Sequence, residues 1–416
     1  MRNVVLVTFD SLRADHCGFM GYDRDTTPTL DAMAAEGLNF EHAISPGPST
    51  PESMPVIMTG EFPVGSDDSG SSLLATRRAK IRRHMKTRET LAERFGRAGY
   101  ATAAFSPNPY TSRYFGFDRG FDRFEDFMGG SREELYQRML DGALAGLPLG
   151  SVLPVRILLN WIQREEVFKP WEDFYDAIRA WTEQAPEPYF LWILLMDTHD
   201  PYLVPDDYRT QSWRAMYHAN YRLWRQGHEP PFSETTHERL VRAYDDSIAY
   251  ADAFLDRLRT DLADDDPLIA VHGDHGEAFG EHGTYGHHQR LFEENVHVPF
   301  VVEGAADRNV TAPVTLQRTP ELLESLAIDG ELPAFDDRNV PARTLDVDRS
   351  AVRARTYKYL RDGDEVRLYD LVTDPGEESP SRDLDPVARA PVTAREEHVA
   401  ERRRIRDAVS DRGDRL

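Results

Sequence analysis

Cysteine is nearly missing from this chain. The single residue, Cys17, excludes an internal disulfide. Lysine is almost as rare: only Lys80, Lys86, Lys169 and Lys358 among 49 basic residues, the rest being arginine. Positive charge is short overall, because 72 acids face those 49 bases and leave a formal net charge of −23. An acidic, lysine-poor surface stays hydrated in concentrated salt, so a halophilic source is expected. The same balance argues against nucleic acid or an anionic membrane as a partner. Long apolar runs are missing too. Val4–Val7 is too short for the core of a signal peptide and has no small-residue cleavage site after it. Tyr189–Met196 and Ser151–Ile162 fall well short of a membrane span. The expectation is a cytoplasmic protein with no stable membrane anchor and an undefined oligomeric state.

What is present suits a large core. The chain has 416 residues, 40% of them hydrophobic and 29% charged, which excludes global disorder. Val4–Phe9 is short and rich in β-branched residues, as a buried parallel strand is. Thr27-Pro28 opens a helix that Gly37 stops. Thr90–Ala98 repeats that design and leads through Gly99 into a strand at Tyr100–Phe105. From Glu238 to Leu262, apolar residues recur every three or four positions, predicting a long helix that feeds a strand at Pro267–Val271. Strands alternating with helices predict an α/β fold with a mainly parallel sheet flanked by helices. Gly65–Arg88 and Pro201–Pro231 break the alternation and read as insertions near the ligand-binding edge. Thr356–Leu360 and Glu365–Leu371 read as antiparallel strands. The expected organisation is a catalytic domain over 1–335, a small antiparallel subdomain over 340–390 and a charged helix or tail over 391–416.

Three strands end in the same kind of residue. Val4–Phe9 runs into Asp10, Tyr189–Met196 into Asp197-Thr198-His199, and Leu268–Val271 into His272-Gly273-Asp274-His275. Open α/β sheets bind ligands beyond the carboxyl ends of their strands, so these carboxylates and imidazoles are expected at one edge. Aspartate and histidine together suit a divalent cation such as Zn²⁺ or Mn²⁺. Separately, Thr50-Pro51 reads as a helix N-cap with proline at the first helical position, the helix running to Thr59 and stopping at Gly60. A hydroxyl there lies where free N–H groups favour a phosphate or sulfate, although a plain cap reads the same way.

These segments together resemble the sulfatase family of the alkaline phosphatase superfamily. Asp10-Ser11-Leu12-Arg13-Ala14-Asp15-His16 with Gly21-Tyr22 is similar to the family's opening motif. Thr50 to Met58-Thr59-Gly60 aligns without gaps to its nucleophile helix, and Glu89–Tyr100 to the helix after it. Asp197-Thr198-His199-Asp200-Pro201-Tyr202 looks like its central histidine motif, and Asp274-His275-Gly276-Glu277 through Tyr285-Gly286-His287 like its metal and substrate-histidine segment. Tyr357–Leu360, Leu368–Leu371 and Asp374-Pro375-Gly376-Glu377 are similar to its C-terminal strand pair.

The resemblance implies an alkaline-phosphatase-like fold and an ester hydrolase or transferase. Two departures bear on the reaction. Sulfatases carry a cysteine or serine that is oxidised to formylglycine, and an arginine four residues on; Thr50 and Met54 stand there. Threonine cannot give formylglycine. Ser11 replaces the family's usual second N-terminal aspartate. A threonine nucleophile with fewer carboxylates resembles the branch that handles phosphate esters, including phosphoglycerol transferases and phosphodiesterases. The expected site is one divalent ion (Mn²⁺, Zn²⁺, Mg²⁺ or Ca²⁺) held by Asp10, Thr50, Asp274 and His275, with Thr50 attacking a small anionic ester. By resemblance, His199 and His287 contact the transferred group or protonate the leaving oxygen. Arg13 is either an anion contact or a partner for Asp15, the second being the reading adopted. Asp197, Glu277, Glu281 and His282 are expected to position loops. The alternatives are a sulfuric ester hydrolase working without formylglycine and a non-catalytic anionic-glycan-binding protein. The basic run from Arg77 to Arg88 reads as a solvated loop paired with the protein's own acids, and it lacks the interleaved aromatics of a nucleic-acid surface.

Overall fold

The computed structural model describes residues 1–63, 73–127, 169–335, 337–346 and 348–381. The segment Gly129–Lys169, from which substrate specificity is expected to come, lies outside the described residues except for Lys169, and the expected tail over 391–416 lies wholly outside them. An eight-stranded sheet forms the centre. Its strands are β1 (Val4–Phe9), β2 (Leu38–Phe40), β3 (Ala101–Phe105), β4 (Arg123–Glu125), β5 (Tyr189–Leu195), β6 (Leu268–Gly273), β7 (Phe300–Glu303) and β8 (Arg308–Val310). They lie in the order β8-β2-β7-β6-β1-β5-β3-β4. β1 pairs in parallel with β5 and β6, and only β7 runs against its neighbours. The expected mainly parallel α/β fold with flanking helices is what the chain adopts.

β1 is buried on both faces, which is why it reads as a continuous apolar run. Val5, Val7 and Phe9 point into one core and Val4 and Leu6 into another. The first core is closed by α1 (Pro28–Glu36), α5 (Glu172–Thr182), α6 (Trp213–Arg225) and α7 (Glu234–Asp261). The second is closed by α2 (Thr50–Thr59), α3 (Leu73–Thr87) and α4 (Leu91–Arg97). α4 starts with a capping box: the Glu93 N–H donates to Thr90 Oγ1 and the Thr90 N–H to Glu93 Oε2.

Four expectations change. Thr50 lies inside the first turn of α2 and Ser49 is the N-cap, so the hydroxyl at position 50 is not spent on capping. The basic run is helix α3, not a loop: Ile81, His84 and Met85 face inward at helical spacing. Arg77 and Arg88 do pair with the protein's own Glu52 and Glu61, but Arg78 is buried rather than solvated. Pro201–Pro231 contains α6, whose buried stripe of Met216, Ala219, Asn220 and Leu223 is obscured in sequence by aromatic and charged neighbours. α7 begins a turn before Glu238, because the Ser233 hydroxyl accepts from the Thr236 N–H and lets a polar first turn form.

The C-terminal sheet has four antiparallel strands, β9 (Asn339–Arg343), β10 (Arg349–Ala354), β11 (Tyr357–Asp362) and β12 (Glu365–Asp370). Its Val340, Ala342, Ala351, Leu360 and Tyr369 pack on Ile44, Leu291, Phe292 and Val296. Buried Lys358 reinforces this contact by pairing with Glu293 and Glu377. Among the described residues, no helix is long and apolar enough to cross a membrane.

Candidate active site

Asp10 and Asp274 arrive side by side because β1 and β6 are adjacent and end in register at Phe9 and Gly273. The two chain ends can meet only with glycine at 273: a Cβ there would lie 2.4 Å from the Leu12 carbonyl oxygen. Gly276 permits a second close approach, since a Cβ there would lie 2.1 Å from the Glu294 carbonyl oxygen. Ser11 adopts a left-handed backbone (φ +66°). This turns its N–H onto Asp274 Oδ1 at 3.1 Å and its hydroxyl onto Asp10 Oδ1 at 3.1 Å.

The resulting pocket is made of acceptors. His275 Nδ1 donates to the Gly276 carbonyl at 2.8 Å, so Nε2 carries the lone pair. That nitrogen lies 3.5 Å from Asp10 Oδ1 and 3.6 Å from Asp274 Oδ1, and all three side chains are fully buried. Asp274 Oδ2 is buried with no hydrogen-bond partner. Burial, and then the neighbouring Asp10 charge, push the Asp274 carboxyl well above the carboxylate range. Burial and then His287 lower His275 to about 3, which keeps the ring neutral. The unpartnered Asp274 Oδ2 beside the lone pair of His275 Nε2 is what a divalent cation satisfies, and two carboxylates with one neutral imidazole fit such an ion.

α2 delivers Thr50 to this pocket. Its Oγ1 lies 3.2 Å from His275 Nε2 and 3.4 Å from Asp10 Oδ2. The Ser49 hydroxyl instead donates to Glu52 Oε2 at 2.9 Å. Met54 is part of the core beneath the sheet, and Cys17 is buried with its thiol on the Arg13 carbonyl. Arg13 corrects its candidacy as a substrate contact. Its guanidinium is tied to both Asp15 oxygens, to Glu281 and to the Glu277 carbonyl, as the structural reading expected. These partners hold it well above its usual range despite burial.

His199 and His287 form the rim. Their rings are 4.8 Å apart, and His287 lies another 4.8 Å from His275. His287 Nδ1 is 3.4 Å from Oε2 of the buried Glu277. Glu281 and His282 point away from the pocket, to Arg13 and to Glu294 respectively. Burial alone would lower His199, but Asp10, Asp200 and Glu277 outweigh it and raise the ring to about 9. His199, Asp200 and His287 are also close enough to suggest a second metal group. His199 Nδ1 lies 2.6 Å from the Asp200 carbonyl oxygen, which can only accept, so Nδ1 carries a proton and Nε2 is the nitrogen of this ring that faces a ligand.

Four residues of the site were not among the sequence candidates. Asn108 Nδ2 donates to Asp10 Oδ2 at 2.5 Å and to Thr50 Oγ1 at 3.4 Å. It follows β3, so the strand-end rule that found Asp10 and Asp274 applies to it equally. Asp200, Trp224 and His228 meet beside His199. Asp200 follows the histidine motif directly, whereas no local pattern marks the other two.

A twisted parallel sheet that gathers two aspartates, a neutral histidine and a helix-borne hydroxyl at its carboxyl edge defines the alkaline-phosphatase-like class of metal-site ester hydrolases. More narrowly, the chain belongs to the sulfatase family, whose profile, described as Sulfatase, matches residues 2–313. A sulfatase of Formosa agariphila is 23% identical over 440 aligned positions, covering 90% of this chain and 82% of its own. An arylsulfatase of Clostridium perfringens is 35% identical over 105 residues, a segment that spans 24% of this chain and only 19% of that relative. Among solved structures, the phosphonate monoester hydrolase of Agrobacterium radiobacter superposes with a TM-score of 0.67 at 16% identity, over 97% of this chain and 96% of the other. At that identity the likeness speaks for the fold.

Proposed function

We propose that the protein is a metal-dependent hydrolase or transferase of phosphate esters that uses Thr50 as its nucleophile. One observation carries this reading: the Thr50 hydroxyl points into the acceptor pocket, 3.2 Å from His275 Nε2 and 3.4 Å from Asp10 Oδ2. Asp10, Asp274, His275 and Thr50 would hold one divalent ion, which supplies charge neutralisation at the ester oxygens and a more acidic threonine hydroxyl. Asn108 and the first turn of α2 fix the direction of that hydroxyl, and the helix N-terminus favours the anionic group in front of it. Thr50 Oγ1 forms a bond to phosphorus as the ester's own O–P bond breaks, and its proton passes to Asp10. The leaving oxygen takes a proton from His199 or His287, which suit this task near neutral pH. Water, or an acceptor alcohol, then displaces the threonine and regenerates the hydroxyl.

Cleavage of a sulfate ester by the same residues is the second reading, supported by the sulfatase family match and the Formosa relative. A non-catalytic glycan binder is the least supported, since it has no use for Thr50 beside the acceptor pocket. The substrate is taken to be a small anionic ester and the setting a salt-rich cytoplasm, in keeping with the net charge of −23. The test is a panel of bis(para-nitrophenyl) phosphate, para-nitrophenyl phosphate and para-nitrophenyl sulfate with Mn²⁺, Zn²⁺ or Mg²⁺, wild type beside Thr50→Ala. Turnover of sulfate alone overturns the phosphate preference. Equal rates in Thr50→Ala remove Thr50 from the reaction. Purified protein that takes up no divalent ion defeats both catalytic readings.

A further inference from the structure

The segment between β5 and α7 does more than cover the sheet edge. Asp200 is 7% exposed, and its carboxylate is gripped from the inserted side. Trp224 Nε1, in the last turn of α6, donates to Asp200 Oδ2 at 3.1 Å, and His228 Nε2 lies 3.2 Å from the same oxygen. The other oxygen, Oδ1, lies 3.2 Å from His199 Nδ1. The chain makes an unusual turn to place His228. Gly227 at φ +63° and His228 at φ +66° are successive left-handed residues closing α6, with the His228 N–H on the Leu223 carbonyl. A histidine in that conformation costs about 1 kcal/mol relative to glycine, so its side chain must gain elsewhere what its backbone loses. The ring also lies against Gly286, where a Cβ would come within 3.0 Å of His228 Cδ2. Gly286 precedes His287. His228 therefore touches both loops that carry the rim histidines.

We propose that His228 and Trp224 are positioning residues that clamp the Asp200 carboxylate and thereby orient His199, so that its Nε2 meets the transferred group. The proposal rests on the reading of His199 as a group that meets the ester. It departs from the resemblance that located His199, since neither Trp224 nor His228 belongs to a motif that marked the site. The clamp has a chemical logic. With Nδ1 on the Asp200 backbone carbonyl at 2.6 Å and the clamped carboxylate 3.2 Å from the same nitrogen, Nε2 on the far side of the ring takes up the proton handling, and a fixed carboxylate stabilises the imidazolium. Other charged groups also face His199 and set the background. Asp10, Asp274 and His275 come from the strand ends, Glu277 and His287 from the loop after β6, and His228 from the insertion.

The experiment uses the full-length protein with histidine labelled at Cε1, titrated by NMR, alongside kcat and KM on bis(para-nitrophenyl) phosphate and para-nitrophenyl sulfate. Trp224→Phe and His228→Ala are each expected to lower kcat about 10-fold with KM changed less than about two-fold, as loss of alignment without loss of binding requires. His228→Gln, whose amide can still donate to Asp200, is expected to recover activity to within about three-fold of wild type. Asp200→Asn should lower the His199 titration midpoint by more than about one unit, because it removes the carboxylate charge held beside Nδ1. Wild-type kcat in folded His228→Ala and Trp224→Phe overturns the clamp, as does an unmoved His199 midpoint in Asp200→Asn. If His228→Ala does not fold, the Phe and Gln variants decide the matter, because both preserve bulk. The titration needs no turnover, so inactivity of the wild type on both probes would count against the proposed function while the midpoint still judges the clamp.

Discussion

The acceptor pocket and the histidine rim lie within one ring's width of each other, yet they are built in different ways. The pocket comes from strand ends and one helix start, all fixed by hydrogen-bonded register: β1 beside β6, with α2 packed beneath. The rim needs a loop after β6, a motif after β5 and an insertion of about thirty residues that returns to the edge. Side chains set by the sheet are fully buried and cannot drift, whereas His199 and His287 remain partly exposed. On the proposed reading the lesson is a division of labour in which rigid backbone holds the charge and the loops that carry His199 and His287 handle protons.

Breaking the pocket should have the largest effect. Thr50→Ala is expected to lose at least about 10³-fold in kcat, as deletion of a nucleophile does. Asp274→Asn should in addition abolish divalent-ion uptake, measured by elemental analysis of purified protein. Breaking the rim should cost less. His287→Gln is expected to lower kcat about 10²-fold while ion content is unchanged, in line with removal of a general acid. Asn108→Ala probes the seam between the regions. It removes a donor to a buried carboxylate and should cost about 10-fold in kcat, read on the same para-nitrophenyl esters.

An effect on stability rather than on turnover concerns the far end of α2. His84 Nε2 lies 2.8 Å from Thr59 Oγ1, and burial followed by the Arg88 charge lowers the ring to about 4. A base with a lowered pKa stabilises the fold while neutral. That contribution is complete above the unfolded value near 6.5 and is lost as pH falls through about 4. Urea unfolding of wild type should therefore weaken by up to roughly 3 kcal/mol from this residue between those limits, and His84→Gln should flatten that stretch of the profile. An unchanged slope in the variant would show that His84 does not anchor the helix.

The same contrast explains what the sequence made legible. Asp10, Asp274 and His275 follow apolar runs directly, so periodicity and the carboxyl-edge rule find them. Asn108 obeys the same rule, but Ser106-Pro107 separates it from its strand and makes it look like a turn. α3 and α6 escape because arginines and aromatics mask their inward stripes, and Gly or Pro brackets suggest irregular chain. Trp224 and His228 reach the site through tertiary folding alone; nothing within their own turn announces that Asp200 will be their partner. Arg13 shows the converse: its pairing with Asp15, two residues away, is a local fact that sequence reasoning can judge well.

If the hydroxyl at position 50 is the nucleophile, as proposed, it has a consequence for biogenesis. An enzyme that must have a side chain oxidised before it works depends on a helper acting on the unfolded chain, and its active fraction is set by how well synthesis and modification keep pace. A nucleophile present in the genetic code imposes no such timetable. Recombinant protein from any host should then reach full specific activity on folding and ion uptake alone, under air or without it.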